Sequence, residues 1–211
     1  MKNRVTAARP RRYTQRARAQ AAETTARRIV DAFLARLMKH WFDEITLDRV
    51  ATDAGVTVQT VVRRFGGKEG LLAEAVKTLA SRINARRAAP VGNIDRLIAN
   101  VIDDYEQTGD AVIRLLSLEP RHPALQAFLE FGRKEHRRWA SEVFAGTLDG
   151  LNAAVRTRAL DALVIATDVY VWKLSRRDFG RSVAATTAIM QGLVQALIAE
   201  FTNFKPMGDR R

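Results

Sequence analysis

Residues 46–65 read Thr46-Leu47-Asp48-Arg49-Val50-Ala51-Thr52-Asp53-Ala54-Gly55-Val56-Thr57-Val58-Gln59-Thr60-Val61-Val62-Arg63-Arg64-Phe65, the spacing of two short helices joined by a tight turn. Gly55 sits at the turn, where a residue without a Cβ takes positive φ at little cost. Ala51, four positions earlier, is small enough to let the two helices cross closely. Val50, Ala54, Val56, Val61 and Phe65 then supply a shared apolar wedge, which leaves Gln59, Thr60, Arg63 and Arg64 to face outward. Thr46 and Thr57 each stand where an N-cap belongs. A helix-turn-helix with polar and basic groups gathered on its second helix points to DNA as the partner.

What surrounds the turn is more specific. Val56-Thr57-Val58-Gln59-Thr60-Val61-Val62-Arg63-Arg64-Phe65, followed after Gly66-Gly67 by Lys68-Glu69-Gly70-Leu71, resembles the TetR family of transcriptional regulators. Family members place a Tyr at the position of Val62 and a His or Tyr at that of Arg64, so the family's aromatic phosphate contact does not carry over to residue 62. The resemblance implies that Lys68 is a phosphate anchor. It also implies an all-α fold: a three-helix DNA-binding head, then a helical bundle body for ligand binding and dimerisation.

The charge is distributed as such a partner requires. Formal net charge is +12, and residues 1–89 hold 19 Lys plus Arg against 8 Asp plus Glu, whereas residues 90–211 hold 16 against 15. Nearly all the excess lies in the half that carries the motif, as expected if a polyanion touches one end only. Seven basic residues precede the first acid, Glu23. With few apolar residues and Pro10 within it, residues 1–22 read as a basic mobile arm, whose Arg9, Arg11, Arg12 and Arg16 would lie along phosphates or in a minor groove. The bland alternative is a solvated tail. Residues 23–83 form the head, with its first helix from about Glu23 to Trp41, and residues 84–211 form the body.

Groove geometry sorts the motif's side chains. The first residues of a recognition helix enter the major groove, which places Val58, Gln59 and Thr60 at base edges; Arg63, Arg64 and Lys68 suit phosphates, and Thr46 and Thr57 offer caps beside orphan amides. The run Gly66-Gly67-Lys68 is not a phosphate-binding P-loop, because the first Gly is misplaced and Glu69 replaces the Ser or Thr that holds magnesium. The chain has no Cys, which excludes disulfides and thiolate chemistry and is compatible with a reducing cytoplasm. No pair of His at close helical spacing offers a metal site, and no catalytic constellation or cofactor motif is recognisable.

No sustained period-two alternation follows Phe65, so the body reads as helical throughout. Breaks are expected at Pro90 to Asn93, Gly109, Pro120 to Pro123, and near Gly146 to Gly150. Leu160, Leu163, Val164, Val171 and Leu174 form one stripe with Thr167 as its polar member. Val183 to Ala199 is uncharged but carries Thr187, Gln191 and Gln195 on one face, which suits burial against a partner chain better than a membrane. The resemblance implies a homodimer through the last two long helices, about Thr157–Ser175 and Arg181–Phe201. The two-fold pairing also suits a pseudo-palindromic operator on double-stranded DNA. It further implies a pocket for a small hydrophobic effector; Tyr105, Phe128, Phe131, Trp139 and Trp172 are the candidates, though aromatics at helical spacing are first of all core. His122 reads as part of a turn and His136 as part of a solvated face. The competing readings are a non-specific DNA-binding protein driven by the arm, and an enzyme housed in the body.

Overall fold

The computed structural model describes residues 10–88 and 93–202. Those residues form ten α-helices with no strand among them. The head comprises α1 (Pro10–Leu37), α2 (Leu47–Ala54) and α3 (Val58–Phe65); α4 (Lys68–Arg87) runs from the head into the body. The body is built from α5 (Ile94–Leu118), a 3₁₀ turn at Glu119–Arg121, α6 (Pro123–Val143), α7 (Ala145–Leu148), α8 (Ala153–Ala166), α9 (Val169–Lys173), a π-helical turn at Leu174–Asp178, and α10 (Val183–Thr202).

The first helix is longer than the sequence suggested, and it begins inside the segment read as a mobile arm. Pro10 does not interrupt it but opens it, at the position where a missing N–H costs nothing and a fixed φ helps. The Arg, Ala and Gln residues that follow are strong helix formers, so residues 10–22 continue into the amphipathic part without a boundary. Residues 1–9, with Arg9, lie outside the described residues. The helix stops at Leu37 rather than at Trp41: Arg114 of α5 donates to the carbonyls of Leu37 and Met38, at 3.3 and 2.8 Å, and Trp41 is exposed while Phe42 turns inward.

Two apolar clusters hold the fold. One joins Ile29, Phe33 and Leu37 of α1 to Val50 and Ala54 of α2, Val61 of α3, and Leu71 and Leu72 of α4, and it extends to Leu115 and Leu118 of α5 and Leu125 and Leu129 of α6. The head therefore shares its core with one end of the body. The other gathers Ile98 and Ile102 of α5, Phe144, Leu163 of α8, Trp172 of α9, and Met190 and Val194 of α10.

Two features differ from expectation. Gly109 does not end a helix, since α5 runs through it; a methyl group there would overlap the ring of Trp172, so close packing outweighs the cost of a helical glycine. The stripe from Leu160 to Leu174 is not one helix. Thr167 folds its hydroxyl back onto the Leu163 carbonyl at 2.8 Å, and Asp168 caps a new helix by accepting from the Tyr170 amide at 2.9 Å, so α8 ends and α9 starts afresh. Most of the expected break at Pro90 to Asn93 lies outside the described residues; Asn93 caps α5 through the Arg96 amide at 2.9 Å. The break expected at Pro120 to Pro123 is made by the 3₁₀ turn at Glu119–Arg121 and His122, after which α6 starts at Pro123.

Asp104 ties α4 to α5. Its fully buried carboxylate accepts from Arg86 Nε at 2.8 Å and from Arg87 Nε at 2.9 Å, so two guanidinium groups from the end of α4 share one acid.

Gly109→Ala is expected to destabilise the protein by about 1–3 kcal/mol despite the better helix propensity of Ala, because the added methyl overpacks against Trp172. Urea unfolding checks this; an unchanged or raised midpoint contradicts it.

Candidate nucleic-acid interface and body cavity

The helix-turn-helix is set by local chemistry at both caps. Thr46 Oγ1 accepts from the Arg49 amide at 3.4 Å, and Gly55 ends α2 in the left-handed region at φ 64°, with the Val56 amide returning to the Ala51 carbonyl at 2.9 Å. Thr57 then starts α3, its hydroxyl accepting from the Thr60 amide at 3.2 Å and lying 3.0 Å from the Thr60 hydroxyl. Gly70, in the first turn of α4, lets that helix pass so close to the end of α3 that a Cβ would overlap the Phe65 carbonyl oxygen.

This geometry sorts the expected contact residues. Gln59, Val62 and Arg63 are exposed and share one side of α3 at helical spacing. Val58 differs from its assignment, being partly buried against the head's core, whereas Val62, at 43% exposure, takes the outward place. Thr60 is partly buried and engaged with Thr57. Arg64 reaches back to Glu23 of α1 at 3.4 Å, an exposed pair. Lys68 is half-covered: Nζ stands 4.2 Å over the Phe42 ring and 3.5 Å from the Asp43 carbonyl, and burial pushes its ammonium below the usual value although nearby Asp43 opposes this. Arg36 bridges α1 to Asp53 of α2 at 2.7 Å. Arg11, Arg12, Arg16 and Arg18 all lie on the N-terminal turns of α1, where residues 15–24 are exposed. At 1.5 Å per residue, α1 is roughly 42 Å long, so its basic part stands clear of the head.

The body holds a partly open cavity of about 240 Å³ between α4, α5, α6 and α9. Tyr105, Phe128, Phe131 and Trp139 line it. Trp172 does not; it is fully buried, donates from Nε1 to Glu106 at 2.8 Å and packs on Tyr105. His136 is also corrected. It is not on a solvated face but lines the cavity, stacked on Trp139 with centroids 5.3 Å apart, while Lys134, Arg137 and Arg138 around it pair outward with Glu130, Asp161 and Glu142. His122 packs edge-on against Phe42, at the junction of head and body.

Sequence reading missed Arg87 and Asp168 in the cavity wall, and Asp104 behind it. Asp104 gave a usable signal, since it falls three residues after Val101 and beside Tyr105, on the apolar side of α5. Arg87, only 7% exposed, stacks on Tyr105 at 4.8 Å and lies 3.2 Å from His136 Nδ1. Burial raises the Asp168 carboxyl above its usual value. No group of three or more metal-ligating side chains occurs among the described residues.

The profile of the family described as bacterial regulatory proteins, tetR family, matches residues 29–75. A search of curated protein sequences finds no match. Among solved structures, a putative TetR-family transcriptional regulator from Mesorhizobium loti is 22% identical, with a TM-score of 0.64 over 85% of this chain and 97% of that one. A TetR-family regulator from Streptomyces coelicolor is 19% identical, with a TM-score of 0.66 over 85% and 97%. A putative transcriptional regulator from Pseudomonas aeruginosa is 18% identical, with a TM-score of 0.66 over 87% and 95%. At these identities the likeness establishes a shared fold along almost the whole length.

Burial, followed by the neighbouring Arg87 charge, pushes the His136 imidazole down to about 4, against an unfolded value of about 6.5. The unfolded chain therefore binds more protons between those limits, and this contribution to stability, complete above the unfolded value, is lost as pH falls toward the folded one. NMR titration of His136 is expected to give a midpoint near 4; a midpoint near that of a free imidazole contradicts the burial. The profile match over residues 29–75, on a helix-turn-helix whose exposed face is polar and basic, makes the head a DNA-binding domain of the tetR regulatory type.

Proposed function

We propose that the protein acts as a cytoplasmic homodimer that represses transcription from a pseudo-palindromic operator and is released by a small ligand in the body cavity. The observation that supports this best is the outward face of α3. Gln59, Val62 and Arg63 project from it together, so Gln59 can pair bidentately with adenine, Val62 can meet a thymine methyl, and Arg63 can reach a guanine or a phosphate. Thr46, Thr57 and Thr60 sit beside helix-start amides and would hold backbone phosphates. Arg64 and Lys68 would add charge to the same strand, and Arg11, Arg12 and Arg16 on the free part of α1 would extend the contact along the duplex. Val58 supports the helix from behind.

Dimerisation is supported by the two faces of α10. This helix is long and apolar enough to cross a membrane by length and composition alone. Its polar side is nevertheless turned toward its own body, where Gln191 and Gln195 both donate to Asp95 at 3.4 Å, flanked by buried Met190 and Val194. The side left outward carries Ala184, Ala188, Ile189, Gly192, Leu193 and Ala196. A helix whose amides bond its own body, and whose outward side shows small and branched apolar residues, suits a second copy of itself; Ile165 of α8, at 64% exposure, adds a further exposed apolar side chain. Repression by release then needs only that the ligand favour a spacing of the two heads that does not match successive major grooves.

Arg63→Ala is expected to weaken operator binding by about 1–3 kcal/mol per half-site while leaving the dimer intact. Leu193→Arg should give a folded monomer in sedimentation, with operator affinity lost; a dimer unaffected by that charge rules out this face. Removing residues 1–18 should flatten the dependence of binding on salt, and an unchanged slope would show that the start of α1 does not touch DNA.

A further inference from the structure

The lining of the body cavity is apolar along Leu79, Ile83, Leu116 and Phe128, but a cluster of polar groups interrupts it. Arg87 lies 3.2 Å from His136 Nδ1, whose Nε2 is 3.2 Å from the Thr167 hydroxyl, and Asp168 follows directly in the wall; Tyr105 donates to the Thr167 carbonyl at 3.0 Å. Arg87, Tyr105, His136 and Asp168 thus form one polar group within the lining.

Its charges are of both signs. Arg86 and Arg87 share the single carboxylate of Asp104, which leaves one positive charge over. Asp168 supplies one negative charge, held by a cap bond to the Tyr170 amide. The remaining charged lining groups close on other partners, Arg133 on Glu119 at 3.1 Å and Glu135 on Arg138 at 2.7 Å. A guanidinium has five N–H groups and a carboxylate about four acceptor sites, so Arg87 and Asp168 each retain capacity for one more bond. A buried carboxylate ligand would meet Asp168, and a buried ammonium would meet Arg87; either desolvates a charge beside one of its own sign. A neutral group that both accepts and donates satisfies the two walls together. Volume sets the rest: a cavity of about 150 Å³ holds benzene, so one of about 240 Å³ suits two fused rings or a chain of comparable bulk.

We propose that this cavity takes a neutral amphipathic molecule of about two-ring size whose single hydroxyl or primary amide head accepts from Arg87 and donates to Asp168. The inference rests on the reading of the cavity as the effector site. It is tested by calorimetric titration of the full-length protein at neutral pH with three probes of one shape: 2-naphthol, 2-naphthoate and 2-naphthylmethylammonium. The naphthol is expected to bind at least about tenfold tighter than either ion. In Asp168→Asn, which keeps the cap on α9, the naphthoate should gain about tenfold. Equal or tighter binding of either ion, or no binding of any probe to the wild type, overturns the proposal. So does an unchanged ranking in a folded Asp168→Asn protein. Mobility shift on DNA with the same probes separates the two readings: naphthol bound without release of DNA sinks the effector reading and leaves the ligand class standing.

Discussion

The carboxylate of Asp104 holds the end of α4 to the body, and much of the molecule depends on that clasp. Without a proton or a pair of cations it could not remain fully buried, and it has both Arg86 and Arg87. The other end of α4 is gripped as closely, because Gly70 lets it abut the last carbonyl of the recognition helix. A single stiff helix thus runs from the surface that meets DNA to the wall of the cavity, where Val76, Leu79, Ile83 and Arg87 face inward. On the reading proposed above, a ligand between α4 and α6 acts on the rod that sets the position of the head.

Arg87 joins the two roles. It is held by Asp104 from one side and presented to the cavity from the other, with Tyr105 and Trp139 against its faces. Aromatic packing and a shared acid make this a fixed donor rather than a flexible one, so a ligand head that accepts from it engages the clasp itself. His136 beside it stays neutral, which keeps a second positive charge out of the same space.

The head was legible in the sequence because its determinants are local. Thr46, Gly55 and Thr57 act within three or four residues of their own position and set the ends of α2 and the start of α3. The body was less legible because its determinants are distant. Nothing near Gly109 announces Trp172, and nothing near His136 announces Arg87; both come together only when α5 packs on α9 and α4 packs on α6. The start of α1 departs from expectation because the helix propensity of its Arg, Ala and Gln residues outweighs their low hydrophobicity, and Pro10 stands at a first turn, where it does not break a helix. Val58 and Val62 stand four residues apart on nearly one side of α3; Val58, in the first turn, packs partly on the head's core, whereas Val62, one turn on, is exposed.

The central claim is that the outward face of α3, doubled in a dimer, reads sequence rather than charge alone. Equilibrium binding of the full-length protein to an inverted-repeat duplex selected from random DNA, against a scrambled duplex of the same length at physiological salt, tests it most directly. The account predicts a preference of about 10³-fold or more, with two protomers on each repeat. Equal affinity for both duplexes would contradict it and leave a non-specific, charge-driven DNA-binding protein in its place.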